Sequence, residues 1–118
     1  MPKFEEAPVT QTAIKYDNFK TDWAILPLGP LEEIARVLSF GEQKYARGNY
    51  ALGEGLAYTR VINSLLRHTT QFMRGEDLDP ETGLSHLAHA GCNILFLLYY
   101  EQNKDKFKND DRNQNILR

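Results

Sequence analysis

The sequence has little cysteine, little excess charge and no long hydrophobic run. Cys92 is its one cysteine, which excludes a disulfide within the chain and a zinc site built from several cysteines. The longest uninterrupted apolar run, Ile94 to Tyr100, is far shorter than the roughly 20 residues that a transmembrane helix needs. The formal net charge is -2, so we expect no membrane contact and no nucleic acid as the main partner.

Three familiar catalytic motifs are also missing from the sequence. There is no glycine-rich loop ending in Gly-Lys-Ser/Thr, no Gly-x-Ser-x-Gly elbow and no His-Glu-x-x-His helix, which excludes the enzyme classes that depend on them. The first six residues contain acids and no apolar segment, so we expect no secretory signal. With a single cysteine, this predicts a reducing cytoplasm as the location.

The composition is typical of one soluble globular domain. The chain has 118 residues, of which 42% are hydrophobic and 25% charged. A domain of this size leaves roughly a third of its unfolded surface exposed. We therefore expect copies of the chain to associate as a homo-oligomer.

Apolar residues recur at helical spacing, which predicts an all-α fold with three main helices. The first is expected from Leu31 to about Ala46, and the second from about Ala57 to Arg74, ended by Gly75. Asp79 before Pro80 predicts the start of the third. From Leu84 to Gln102 this helix is apolar almost all round, which predicts a central helix covered by others.

The sequence divides into three parts. Residues 1–29 lack a sustained period and contain several prolines, which predicts an extended N-terminal arm. Residues 30–103 form the all-α core. Residues 104–118 are polar, so we expect a solvated or frayed tail, with packing on a neighbouring subunit as the alternative.

The most specific local pattern lies in the third predicted helix. His86, His89 and Asn93 are three and four residues apart, which places them on one stripe. Three interpretations stay open: a metal site completed by carboxylates from Asp79, Glu81 or Glu33, ligand-binding histidines, or a hydrogen-bonded polar seam between helices.

The second predicted helix carries a polar stripe without carboxylates. Its members are Arg60, Asn63, Arg67, Gln71 and Arg74. The guanidinium groups could grip phosphate with two hydrogen bonds each, although a solvated helix face is the alternative. His68 shares the apolar stripe, where it is either a core histidine or a functional one.

Several separated motifs occur together and in order. They are Lys15-Tyr16-Asp17 with Lys20, Leu26-Pro27, Pro30 to Val37, Phe40-Gly41 with Lys44-Tyr45, Arg67-His68, Arg74 to Asp77 with Asp79 to Glu81, and His86 to Ala90 with Asn93. Over about residues 13 to 102 the chain resembles the phage and bacterial family of the dATP/dGTP diphosphohydrolase N-terminal domain. The resemblance implies a MazG-like helical bundle related to nucleotide pyrophosphohydrolases and assembled from identical chains.

The chain departs from the MazG pattern at the metal site. MazG-type enzymes hold magnesium on Glu-Glu-x-x-Glu of one helix and Glu-x-x-Asp of the next. Aligned with that pattern, this chain has Arg67-His68-x-x-Gln71 and His86-x-x-His89. The substitutions predict a donor-rich site that holds an anion directly.

Two hypotheses follow for a bacterial or phage-infected cell. In the first, the chain hydrolyses a purine (deoxy)nucleoside triphosphate to monophosphate and pyrophosphate with a divalent metal, Mg²⁺ or Mn²⁺. The residues assigned are Glu33 and His68 for catalysis, Lys15, Lys20, Lys44, Arg67, Gln71 and Asn93 for substrate binding, and Asp79, Glu81, His86 and His89 for the metal. In the second, a metal-free pocket between subunits sequesters a cyclic or ADP-ribose-type defence signal. A structural interaction protein is a third possibility.

Overall fold

The computed structural model describes residues 20–112 and contains three α-helices. They are α1 (Leu28–Lys44), α2 (Tyr58–Met73) and α3 (His86–Gln102), with single 3₁₀ turns at Trp23–Ile25 and Asn49–Ala51. Helix α3 packs against both α1 and α2. Within the described residues there is no strand, only an isolated bridge between Leu78 and Ser85. The prediction of an all-α fold with three main helices is confirmed.

The ends of the first two helices follow from local chemistry. Helix α1 starts slightly earlier than predicted, and Pro30 lies in its first turn, where no backbone N–H is needed for the helix. Helix α2 ends where Gly75 adopts a left-handed φ of 97°. This conformation lets the N–H of Glu76 donate to the carbonyl of Gln71 at 3.1 Å, a common helix-ending arrangement.

The start of the third helix was predicted wrongly. Helix α3 begins at His86, after a loop, and not at Pro80. The side chain of Ser85 accepts hydrogen bonds from the N–H groups of the first turn and so provides the cap.

The predicted cap, Asp79, instead belongs to the loop before the helix. Its carboxylate accepts from the Thr82 hydroxyl at 3.0 Å. Its carbonyl accepts from the N–H of Gly83 at 2.7 Å, and Gly83 has a φ of 74°. Local partners therefore satisfy Asp79, and the left-handed glycine turns the chain back before a helix can start.

The core has two groups of buried side chains. Tyr58, Val61, Tyr100 and Phe107 form one group between α2, α3 and the chain after α3. The other joins α1 to α3 and consists of Val37, Ala88 and Cys92.

The chain after α3 was expected to be solvated or frayed, but residues up to 112 pack on the core of the same chain. Phe107 is only 3% exposed. The carbonyl of Asn109 accepts from the N–H of Tyr58 at 3.1 Å. Asp111 accepts from the backbone and hydroxyl of Thr59 at 2.9 and 2.6 Å. Because no side chain of α2 itself caps its first turn, Asp111 supplies that cap, and the bonds from Thr59 lower the pKa of Asp111.

Helix α3 is not covered on every side by one copy of the chain, contrary to the prediction. Leu87, Ile94 and Leu98 are each 47–49% exposed. In the described part of the chain, no helix combines the length and the hydrophobicity that crossing a membrane requires.

Candidate functional site

A cavity of about 600 Å³ lies between the end of α1, the segment that follows it, α2, the loop before α3 and the part of α3 from His89 to Phe96. Its volume is in the range of small-molecule sites. Seven of the residues proposed from the sequence line it: Lys44, Arg67, His68, Asp79, Glu81, His89 and Asn93.

The other proposed residues lie elsewhere. Glu33 is outside the cavity and lies 3.4 Å from Arg36 on the surface of α1. Gln71 lies one turn beyond Arg67, and Lys20 is exposed before α1. His86 sits behind the cavity wall. Lys15 lies outside the described residues.

All three histidines of the chain meet at the interface of α2 and α3. The Nδ1 atoms of His68 and His86 are 2.8 Å apart. The rings of His68 and His89 stack with their centroids 4.4 Å apart. The polar stripe predicted on the third helix therefore exists, and it meets a histidine from the apolar stripe of α2.

Glu76, which sequence reasoning did not single out, completes this group. Its carboxylate oxygen lies 2.7 Å from Nε2 of His86. A carboxylate has no hydrogen to donate, so Nε2 of His86 carries the hydrogen. The contact exists because the Gly75 turn directs residue 76 back towards α3.

Burial sets the protonation of the two histidines that line the cavity. Burial and, to a smaller extent, the neighbouring His89 lower the pKa of His68 to about 4. Burial also lowers the pKa of His89. His68 is therefore neutral at pH 7, with one ring nitrogen free of hydrogen.

His89 is tied to the loop before α3 by a second small network. The hydroxyl of Thr82 donates to Asp79 and lies 2.8 Å from Nε2 of His89. Because the hydroxyl hydrogen is used on Asp79, the Thr82 oxygen accepts from His89. Burial alone would raise the pKa of Asp79, but the hydrogen bonds from Thr82 and from the N–H of Glu81 lower it overall. Asp79 is therefore ionised at pH 7.

The four residues predicted to hold a metal do not all meet at one point, although Nε2 of His89 lies 3.5 Å from the Asp79 carboxylate. His86 uses both ring nitrogens on Glu76 and His68. Nε2 of His89 faces Thr82, and Glu81 lies 3.0 Å from the Lys44 ammonium. Across residues 20–112, no group of three or more His, Cys, Asp or Glu side chains is arranged to hold a metal ion.

Three further polar side chains line the cavity: Arg67, Asn93 and Ser64. Arg67 lines it without an ion pair to any carboxylate in the part of the chain that the structure describes. Asn93 is buried and donates to the Ser64 hydroxyl at 3.1 Å. Among residues 20–112, the cavity thus has one cation without an ion pair, and it lies near neutral imidazoles.

Aromatic rings also line the cavity, from Phe40, Tyr45, Tyr50 and Phe96. Tyr50 stacks on Phe96 with a centroid distance of 4.7 Å. The hydroxyl of Tyr100, which is fully buried, donates to the Tyr50 carbonyl at 2.8 Å and accepts from the N–H of Leu56 at 3.1 Å. This hydroxyl fastens the segment between α1 and α2 to α3.

Comparison with known proteins agrees with the resemblance seen in the sequence. A family model described as dATP/dGTP diphosphohydrolase, N-terminal, matches residues 10–112. A curated dATP/dGTP diphosphohydrolase of Salmonella phage PMBT28 is 38% identical over 101 residues, which cover 86% of this chain and 33% of the relative. The chain thus spans about a third of the length of that relative. No solved structure gives a significant match.

Proposed function

Because the chain belongs to the family of the dATP/dGTP diphosphohydrolase N-terminal domain, we propose that its cavity binds a purine (deoxy)nucleoside triphosphate. We further propose that the site hydrolyses this nucleotide to the monophosphate and pyrophosphate, the reaction suggested by the name of the phage relative. One observation carries the proposal: a cavity of about 600 Å³ is lined by an arginine that has no ion pair within residues 20–112, by neutral histidines, by an ionised aspartate and by aromatic rings.

The two sides of the cavity suit the two ends of a nucleotide. Arg67 on α2 is a cation on the polar side, and a guanidinium can bind phosphate oxygens with two parallel hydrogen bonds. The second cation, the Lys44 ammonium, lies 5.3 Å from the centroid of the Tyr45 ring. On the other side, Tyr45 and Tyr50 offer ring faces on which a purine can stack. We therefore place the phosphates near α2 and the base against the segment that follows α1.

Asp79 and Glu81 are the residues that fit a divalent metal. Both line the cavity, and Asp79 is ionised at neutral pH. Magnesium is commonly bound by one or two carboxylates together with substrate phosphates and water, so it needs no complete protein cage. When bound, the metal would neutralise phosphate charge. Glu81 would then have to exchange its contact with Lys44, which frees the ammonium for a phosphate.

The metal roles first assigned to His86 and His89 are not part of this proposal. Both ring nitrogens of His86 already have partners within the chain. Nε2 of His89 bonds to Thr82, which in turn orients Asp79. His89 thus acts on the site by holding a carboxylate in place.

We also propose that copies of the chain associate through the uncovered side of α3. The exposed leucine and isoleucine side chains on that side support this, because isolated monomers rarely leave such a row open to water. Light scattering coupled to size-exclusion chromatography tests it: a monomer at micromolar concentration contradicts the proposal.

Product analysis tests the catalytic proposal. Purified protein is incubated with dATP, dGTP, GTP or a cyclic dinucleotide, with Mg²⁺ or with chelator, and the nucleotides are separated by ion-exchange chromatography. We expect purine monophosphate and pyrophosphate from the triphosphates, lost with chelator and in Asp79→Asn. Asp77→Asn, which changes an exposed carboxylate of the same loop, is the matched control.

Two other outcomes would reject hydrolysis. Recovery of intact nucleotide from a stable stoichiometric complex would indicate a sequestering protein, the alternative that the comparisons do not support. Neither turnover nor a thermal shift with any nucleotide would reject the nucleotide site altogether.

A further inference from the structure

Glu76, His86 and His68 form a continuous hydrogen-bonded row that starts at the protein surface and ends at the cavity. The Glu76 side chain is 46% exposed, whereas that of His86 is 3% exposed. His86 does not line the cavity and His68 does. The row therefore connects a solvated carboxylate to a ring inside the site through one buried histidine.

The free end of this row is Nε2 of His68. Nδ1 of that ring is engaged by His86, so the edge that carries Nε2 is turned away from His86. Among the described residues, the one buried side-chain nitrogen or oxygen without a partner is Oδ1 of Asn109. Nε2 of His68 has no partner there and is not one of these buried atoms, so it keeps some exposure, and His68 is a residue that lines the cavity.

The position of the hydrogens follows from the order of the groups. Glu76 can only accept, so His86 donates from Nε2. A neutral His86 then has a lone pair on Nδ1, and the hydrogen between the two Nδ1 atoms belongs to His68. A neutral His68 with hydrogen on Nδ1 has its lone pair on Nε2.

We propose that Glu76 and His86 are positioning residues that hold His68 in the Nδ1–H tautomer, with the Nε2 lone pair directed into the cavity to accept a proton from the attacking water. The proton-transfer part rests on the proposed hydrolysis, whereas the tautomer does not. Free imidazole side chains have no such constraint, and a carboxylate behind a histidine is a common way to fix which nitrogen carries the hydrogen.

In the proposed step, the water oxygen forms a bond to the α-phosphorus while Nε2 of His68 takes one water proton. The bond from the α-phosphorus to the bridging oxygen breaks, and its electron pair leaves on pyrophosphate. The negative charge of the bound polyphosphate offsets the burial that keeps His68 neutral in the free protein. The proton on Nε2 then passes to solvent.

Imidazole ¹⁵N NMR of the ligand-free protein at pH 7.5 tests the tautomer without any activity. We expect His68 to carry hydrogen on Nδ1 and none on Nε2. In Glu76→Ala the population should move towards Nε2–H, because His86 can then donate in the opposite direction. Asp77→Ala, which removes an exposed neighbouring carboxylate, should leave the spectrum unchanged. Hydrogen on Nε2 of His68 in the unaltered protein, or an identical spectrum in Glu76→Ala, would overturn the proposal.

Steady-state kinetics tests the consequence for the reaction. Glu76→Ala should lower kcat roughly ten- to a hundredfold with little change in KM, as expected when a supporting partner of a catalytic group is lost. A change in KM alone, or no change, would contradict the positioning role. If the unaltered protein shows no turnover, the proposed hydrolysis fails, while the NMR spectra still decide the tautomer.

Discussion

The imidazole rings of His68 and His89 lie parallel across the interface of α2 and α3, with 6° between their planes. Each ring is buried and uncharged at neutral pH because burial lowers its pKa. With their ring centroids 4.4 Å apart, two imidazolium ions would repel each other. The stack is therefore stable only while at least one ring stays neutral, which couples the integrity of the site to pH.

Acidification should destabilise the protein through His68. Its pKa is about 4 in the folded chain, whereas the ordinary value, which we take for the unfolded chain, is 6.5. Between these two pH values the unfolded chain therefore binds the proton more readily than the folded one. The contribution to stability is full above pH 6.5 and is lost as pH falls towards 4. From pH 7.5 to 5 the free energy of unfolding should drop by about 2 kcal/mol from this residue.

Urea denaturation at both pH values measures this loss. In His68→Gln, where the new side chain cannot titrate, the free energy of unfolding should depend less on pH. The test compares the change between the two pH values in each variant, not the absolute stabilities. An unaltered pH dependence in His68→Gln would mean that other groups cause the effect.

Arg67 should account for much of the affinity for phosphate. Arg67→Gln is expected to weaken the binding of a non-hydrolysable dGTP analogue roughly ten- to a hundredfold, because a charged hydrogen bond is worth about 1.5–3 kcal/mol. Arg60→Gln is the matched control, since Arg60 is exposed on the same helix and does not line the cavity. Calorimetry that finds equal losses in both variants would indicate non-specific attraction.

The wall of the cavity should depend on the hydroxyl of Tyr100. Tyr100→Phe leaves the N–H of Leu56 and the carbonyl of Tyr50 without their partner, which should cost about 1–3 kcal/mol of stability. Since both of those residues line the cavity, nucleotide affinity should also fall. Tyr99→Phe, on the same helix, should change both quantities less. Equal effects in the two variants would contradict this role.

A side chain should cost more stability at Gly55 than at Gly53 in the same loop. Both have a left-handed φ, of 76° and 56°. A Cβ on Gly55 would lie 2.8 Å from Cε1 of Tyr100, whereas one on Gly53 meets nothing within 4 Å. Gly55→Ala should therefore cost about 1–3 kcal/mol more than Gly53→Ala. Thermal unfolding of both variants decides this, and equal losses would show that the backbone conformation alone matters.

The sequence predicts the helices well because their signals are local. Apolar spacing located all three, and Gly75 ended α2 as expected. The same reasoning was wrong at Asp79, where a helix N-cap was predicted. Instead, Asp79 accepts hydrogen bonds from Thr82 and Gly83 within a loop. Phe107 was missed because its neighbours are polar, although one aromatic side chain is enough to anchor that segment.

Only part of the candidate site could be predicted from the sequence, because the signals for the remaining residues are not local. Helical spacing tells which face a residue occupies but not how far along the helix the neighbouring elements reach. Glu33 and Gln71 each lie on the correct face, one turn away from residues that do line the cavity, Val37 and Arg67. The Gly75 turn before Glu76 is local and was predicted, but the partner of Glu76, His86, lies ten residues further on, across a loop whose course no helical spacing describes.

The most direct test of the nucleotide site is an NMR titration of the ¹⁵N-labelled chain with a non-hydrolysable dGTP analogue and Mg²⁺. We expect shifts concentrated at cavity residues such as Lys44, Tyr50, Arg67 and His89. Signals from the far side, including Trp23, Leu28 and Glu101, should stay in place. Shifts confined to that far side, or no shifts at saturating analogue, would contradict the assignment of the cavity as the nucleotide site.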